Sequence, residues 1–176
     1  MRCAFTAAVA ALLVGCNPTV SNPPRPGQEV PAQEIDDFSF TETRLGVPRW
    51  TLHAKTLSDF RAKEYAVVGG VLVDFFQLEE ESLVTTSTLR ADSGEFRRST
   101  RDMRVWGDVV IHNREGTELY TGWLRWTERT GRITTLDTVL VQRGVSTMRG
   151  TGLESDPELR DVRILADVTG NLPGRK

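Results

Sequence analysis

The sequence predicts an all-β fold, a single domain rolled up from repeated antiparallel strands. Three observations support this prediction. Apolar and polar residues alternate with a period of two, the spacing of half-buried strands rather than of helices. Turn residues recur at intervals of roughly ten positions, with no helical pattern between them. Similar segments also return at Gly70, Asp108 and Thr138, which are 38 and then 30 positions apart, as in repeat architectures.

The N-terminal segment, residues 1–15, has the pattern of a lipoprotein signal peptide. A positive start at Arg2 precedes an apolar run over residues 4–14, which is too short to span a bilayer, and Gly15 stands directly before Cys16. We expect cleavage before Cys16 and acylation of its thiol, which would anchor the chain to a membrane. The alternatives are an ordinary signal peptide or a buried strand in which the cysteine occurs by chance.

Residues 16–36 are predicted to form a disordered tether. Five of the eight prolines of the chain lie between Pro18 and Pro31, and the segment has no apolar period. An extended proline-rich chain rises about 3.1 Å per residue, so some 20 residues reach roughly 60 Å. The folded domain, predicted over residues 37–170, would therefore stand away from its membrane. Residues 171–176 form a short polar tail.

Within the domain, the turns define the strands. Gly116 is placed for a positive φ, so strands 104–112 and 117–127 should pair as a hairpin. Asp92–Gly94 and Arg129–Gly131 have the composition of further tight turns. Strand 160–167 should be the last one and lie at a sheet edge, where it is either a solvated cap or a surface for partner strands.

Composition and motifs argue against several functions. The net charge is −2, which gives no support for a nucleic-acid partner. The two histidines, His53 and His112, lie far apart and have neither a cysteine partner nor the spacing of metal ligands. Phosphate-loop and hydrolase motifs are absent from the sequence. We therefore predict a protein that is not an enzyme and uses neither a cofactor nor a metal.

Several segments together resemble the LptC family. Each is a weak signal by itself, but their order and spacing are specific. They are Phe40–Ala54, Thr88–Phe96, Gly107–Ile111, Gly116–Thr121, Leu124–Trp126, Ile133–Thr135, Val139–Val141 and Gly150–Asp156.

The resemblance implies a twisted, open β-jelly roll that binds the acyl chains of lipopolysaccharide. Members of this family are periplasmic components of the lipopolysaccharide-export ABC transporter of the inner membrane, and they pass the lipid to an OstA-like periplasmic bridge protein. The best-known members carry a transmembrane helix where this chain has an expected lipid anchor at Cys16. The resemblance therefore implies a periplasmic, membrane-anchored protein at the inner membrane, with the outer membrane as the alternative.

Alternation along the strands assigns one apolar face to the interior of the roll. In any β-sandwich the same residues would form a packed core, and the resemblance implies instead that they line a groove for lipid. They are Val71, Val73, Phe75, Leu89, Phe96, Met103, Val105, Val109, Ile111, Leu124, Trp126, Ile133, Val139, Val141 and Met148.

Two further features remain open in the sequence. Four arginines near one turn, Arg97, Arg98, Arg101 and Arg104, could contact lipid phosphates or simply be solvated. A competing functional hypothesis is a lipid-anchored structural adaptor, with a filled core and an edge strand that recruits envelope partners.

Overall fold

A computed structural model describes residues 30–171, and it confirms the all-β prediction. Nine antiparallel strands form one sheet in which each strand pairs with the next one along the chain. Within residues 30–171 the sole helical element is one 3-10 turn, Arg61–Lys63. The same residues contain no helix that is long and apolar enough to cross a membrane. The expected signal peptide, Cys16, residues 17–29 of the expected tether and residues 172–176 of the expected tail lie outside the described residues.

The strands are long, from 9 to 16 residues. In chain order they are β1 Gln33–Arg44, β2 Val47–Phe60, β3 Tyr65–Glu79, β4 Ser82–Arg97, β5 Met103–Asn113, β6 Thr117–Thr127, β7 Arg132–Arg143, β8 Ser146–Ser155 and β9 Arg163–Asn171. β1 begins four residues before the predicted start of the domain at 37. β9 is the terminal edge strand and lies slightly later than the predicted strand 160–167.

The predicted hairpin is confirmed as β5 and β6. Gly116 has a φ of +79°, as the turn requires. The buried side chain of Asn113 accepts hydrogen bonds from the backbone N–H groups of Glu115 and Thr117, at 3.0 and 2.8 Å. The turn at Arg129–Gly131 is also confirmed. These turns form where short polar residues satisfy backbone groups that the strands leave unpaired.

The predicted turn at Asp92–Gly94 is wrong, because these residues lie inside β4. The pairing of β4 with β5 shifts register between Arg90 and Ser93, which marks a β-bulge. Bulges and turns favour the same short polar residues and glycine, since both need an unusual backbone conformation at one position. Local composition therefore could not distinguish them.

Bulges recur at neighbouring positions in six consecutive strands, β4 to β9, and so form a line across the sheet. Each lies where the strand pairing changes register, and successive members are 15 positions apart. They are Asp92, Gly107, Gly122, Asp137, Gly152 and Asp167. A bulge bends its strand and increases the local twist, so a line of bulges folds the whole sheet along one axis.

Folding along this line brings distant strands together. Trp50 on β2 and Trp126 on β6 have three strands between them in the sheet, yet their ring centroids are 5.2 Å apart. Phe40 on β1 and Phe96 on β4 are 5.5 Å apart. The Trp50 indole N–H also donates to Glu128 at 3.1 Å. One sheet therefore supplies both walls of the roll, and the apolar faces of β1 to β8 point into the space between them.

Candidate functional site

The apolar candidates from the sequence converge on the interior of the roll. Fourteen of the fifteen have a relative exposure of 5% or less, and the remaining one, Met148 on β8, is half-buried. Alternation along the strands thus identified a single continuous face. The central part of this face is closely packed, whereas its margin at β1 is open.

An open apolar cavity lies at the β1 end of the interior. The inward side chains of β1 remain half-buried, and beside them is a cavity of about 300 Å³. Its apolar lining continues from the core. The apolar lining residues are Ile35, Phe38, Phe40, Leu57, Ala66 and Phe96. We call this cavity the mouth.

Of these lining residues, only Phe96 was among the sequence candidates. Alternation on β1 fails at Asp37, which has a φ of +52° and no pairing partner on β2. The inward positions therefore run Ile35, Phe38, Phe40, with a spacing of three and then two. A strict period of two does not find such a face, but an allowance for one irregular position at Asp37 would have found it.

Charged groups surround the mouth. The Asp59 carboxylate is buried beside it, 2.5 Å from Arg98 Nη2 and 3.2 Å from Arg61 Nε. The hydrogen bond from Arg98 holds the pKa of Asp59 below its usual range, against the opposing effect of burial. On the other side, Arg101 forms an ion pair with Glu42 of β1.

The four arginines that cluster in sequence separate in space. Arg98 and Arg101 both line the mouth. Arg97 instead forms an ion pair with Glu95 at 3.0 Å. Arg104 lies over the ring of Trp123, 5.0 Å from its centroid, on the outer face. Only two of the four are therefore placed to meet a ligand that enters the roll at this point.

The opposite end of the roll is closed by the segment between β8 and β9. Leu159 of this segment is buried, and the carbonyl of Glu158 accepts a hydrogen bond from Asn113 Nδ2 at 2.7 Å. The Glu158 carboxylate accepts hydrogen bonds from Gln77 and Thr86, at 3.2 and 3.3 Å. Because these contacts join β3, β4 and β5 to the segment, they fix it as a plug.

The interior also holds two polar groups that lack a hydrogen-bond partner among residues 30–171. They are the indole N–H of Trp126 and the hydroxyl of Ser87. A buried donor without a partner costs about 1–3 kcal/mol. The indole N–H therefore offers a hydrogen bond to any oxygen that enters the interior.

Each of the two histidines lies beside one acidic side chain. His53 Nε2 lies 4.0 Å from Asp74 Oδ2, and His112 Nδ1 lies 3.3 Å from Glu118 Oε1. The first pair joins β2 to β3 and the second joins β5 to β6. Across residues 30–171, no three His, Cys, Asp or Glu side chains come together as metal ligands would.

The rolled sheet, plugged at one end and open at the other, defines the class of protein as a β-jelly roll. The chain belongs to the LptC-related family of lipopolysaccharide assembly, whose model matches residues 4–172. This is a family of periplasmic envelope components that act in lipopolysaccharide transport.

A solved structure shows the same fold. It is LptH, described as the LptA homologous periplasmic component of the lipopolysaccharide transport device from Pseudomonas aeruginosa. The TM-score is 0.54 and the sequence identity 12%, and the alignment covers 71% of this chain and 95% of LptH. No curated protein sequence matches this chain.

Proposed function

We propose that the roll binds acyl chains of lipopolysaccharide and passes the lipid from an inner-membrane ABC transporter to a periplasmic OstA-like bridge protein. The observation that carries this proposal is the mouth, an open apolar cavity continuous with the buried face of the sheet. Lipid enters there and extends along the interior, where the fifteen sequence candidates lie. The protein acts by binding alone, without a chemical step.

The physical requirement for such a carrier is shelter from water. Each exposed methylene of an acyl chain costs about 0.8 kcal/mol, so a chain of a dozen carbons needs an apolar enclosure to leave a bilayer. The half-buried Ile35, Phe38 and Phe40 already expose apolar surface to such a chain. Their side chains lose little packing when the mouth widens, because they are not fully enclosed.

The two edges of the sheet suit transfer between partners. β1 and β9 each pair with one neighbour, and β9 is exposed along almost its whole length. An edge strand can extend its sheet with a strand of another protein. In our proposal such pairing aligns the interior with the roll of the bridge protein. Acylated Cys16 holds the protein at the periplasmic face of a membrane.

Photo-crosslinking in cells tests lipid binding directly. A photoreactive residue in place of Phe38, Ile111 or Val139 should label lipopolysaccharide, because these positions face the mouth or the interior. Arg104 and His112 are matched outward positions on β5, the strand of Ile111. Labelling from the inward positions that is no stronger than from these two would contradict the proposal.

The structure also supports the adaptor hypothesis through one observation, the close packing of the central interior. Fourteen candidate residues are nearly inaccessible, as in an ordinary core. An adaptor would carry no lipid after gentle extraction and would bind partners through β9.

Native mass spectrometry distinguishes the two functions. Lipid bound to the extracted protein, lost when Phe38 is replaced by Asp, supports the carrier. Lipid-free protein whose complexes disappear with Val168→Pro supports the adaptor.

A further inference from the structure

We propose that the rim of the mouth is a phosphate-binding site. In this site Arg98 and Arg101 hold a phosphate group of the incoming lipopolysaccharide while an acyl chain of the same molecule fills the apolar cavity. The inference rests on the proposed function and adds a recognition step to it. It makes the mouth selective for a phosphorylated lipid, which an apolar cavity alone could not be.

The first support is the arrangement of the lining. Six apolar residues, two guanidinium groups and Asp59, whose carboxylate is paired with Arg98, border the same cavity of about 300 Å³. A lipid that carries phosphate close to its acyl chains has a charged group next to an apolar one. Its phosphate can therefore meet the guanidinium groups while an acyl chain meets the apolar lining. Guanidinium binds phosphate through parallel hydrogen bonds, with better geometry than an ammonium group offers.

The second support is the difference in exposure between the cations and their carboxylate partners. The side chains of Arg98 and Arg101 are 40% and 48% exposed, whereas those of Asp59 and Glu42 are 7% and 15% exposed. The carboxylates hold the guanidinium groups from the inside, and the outward N–H donors remain open to solvent. A phosphate can therefore approach from outside.

The third support is the backbone of Arg101. Its φ is +60°, a left-handed conformation that is unfavourable for a residue with a side chain. Its N–H donates to the Arg97 carbonyl at 2.7 Å, which closes the turn between β4 and β5. Glycine or asparagine would fit this turn at lower cost. The turn instead carries a guanidinium group to the edge of the mouth.

The ion pair between Arg101 and Glu42 also connects opposite walls. Glu42 lies on the edge strand β1, and Arg101 lies in the turn that ends β4. A phosphate that replaces Glu42 as the partner of Arg101 removes this connection. Binding of the headgroup thus frees β1 to move aside for the acyl chain.

The test uses the full chain with a photoreactive residue at Phe38 and two probes, bisphosphorylated lipid A and the same lipid after removal of its phosphates. Arg101→Gln should weaken labelling by the phosphorylated probe about fivefold, the effect of one partly solvated charge-assisted contact. It should leave the dephosphorylated probe unchanged. Arg125→Gln, an exposed arginine on the outer face of β6, is the matched control and should change neither.

Glu42→Gln provides the decisive comparison. If Glu42 competes with phosphate for Arg101, its removal should strengthen labelling by the phosphorylated probe, opposite in sign to Arg101→Gln. If the ion pair is only structural, both substitutions should act in the same direction on both probes, and the inference would be overturned. Because Arg101 and Glu42 are at the rim, both variants should fold, which a thermal melt verifies.

The remaining outcomes separate this inference from the proposed function. Equal labelling by both probes, unaffected by Arg101→Gln, would overturn the phosphate site and leave acyl-chain binding intact. No labelling by either probe would overturn both. Competition by vesicles of phosphatidylglycerol as strong as that by lipid A would overturn the assignment of the site to lipopolysaccharide.

Discussion

Buried and exposed aspartate residues have different roles in this protein. Asp59 is buried and ionised, held by Arg98 and Arg61 at the mouth. Asp37 and Asp167 are exposed and adopt a positive φ inside strands, where a short polar side chain tolerates the left-handed conformation. The first role is electrostatic and therefore depends on pH. The second is conformational and does not.

Asp59→Asn should lower the free energy of unfolding by about 1.5–3 kcal/mol near neutral pH, the typical net value of hydrogen bonds to charged groups. The hydrogen bond from Arg98 holds the folded-state pKa of Asp59 below the usual range of an aspartate. Its contribution is therefore present above about pH 4 and is lost as the pH falls through the folded-state pKa. Urea unfolding at about pH 7 and about pH 3 measures this. If the difference in unfolding free energy between wild type and variant were equally large at the lower pH, the electrostatic explanation would be contradicted.

At the scale of elements, the line of bulges is the feature that turns nine strands into a roll. Gly107 shows why particular residues stand on this line. Its φ is +80°, and a Cβ at this position would lie 2.6 Å from a carboxylate oxygen of Asp92 on β4. The close approach of the two strands at the bend leaves no room for a side chain. The bend therefore requires glycine at position 107 for two reasons, the positive φ and the lack of space for a side chain.

Gly107→Ala should lower the free energy of unfolding by at least about 2 kcal/mol, because strained backbone and steric overlap add together. Gly116→Ala is the matched control. Its φ is +79°, but nothing lies within 4 Å of the added Cβ, so only the backbone cost applies. Urea denaturation compares the two variants. Asp92→Gly in the Gly107→Ala background should recover the difference, and failure to do so would show that the clash is not the cause.

At the scale of the molecule, the roll is asymmetric. The segment around Glu158 plugs one end, whereas the mouth at β1 leaves the other open. Residues deep in the interior hold the fold together, and residues at the mouth are free to serve binding. Stability and lipid binding should therefore depend on different side chains of the same apolar face.

This separation can be measured with two truncations. Ile111→Ala should lower the free energy of unfolding by about 2–4 kcal/mol, because the side chain is fully buried and leaves a cavity. Phe38→Ala should cost less than about 1.5 kcal/mol, since its ring is only partly buried, but should reduce lipid binding more. Denaturant unfolding and crosslinking to lipid, measured on both variants, check this. Equal effects of the two variants on both measurements would show that the mouth has no separate role.

Much of the fold was predictable from local pattern. The hairpin at Gly116 and the inward residues of β5 to β7 follow from alternation and one positive-φ glycine. The error at Asp92–Gly94 and the omission of Ile35 and Phe38 have one common cause. In both strands the inward face moves by three positions instead of two, from Ala91 to Gly94 and from Ile35 to Phe38, and nothing in the nearby sequence distinguishes such an irregularity from a turn.

The strands, the composition of the apolar face and the family of the chain can be predicted from the sequence, because they depend on alternation, turn chemistry and motifs within short stretches. The folded sheet, in contrast, is needed to show that the bulges lie along one line and that the interior is open at β1. The folded sheet also shows that Arg98 and Arg101 line the mouth, whereas Arg97 and Arg104 do not. Such facts depend on which distant strands the folded sheet brings together, and no local pattern contains that information.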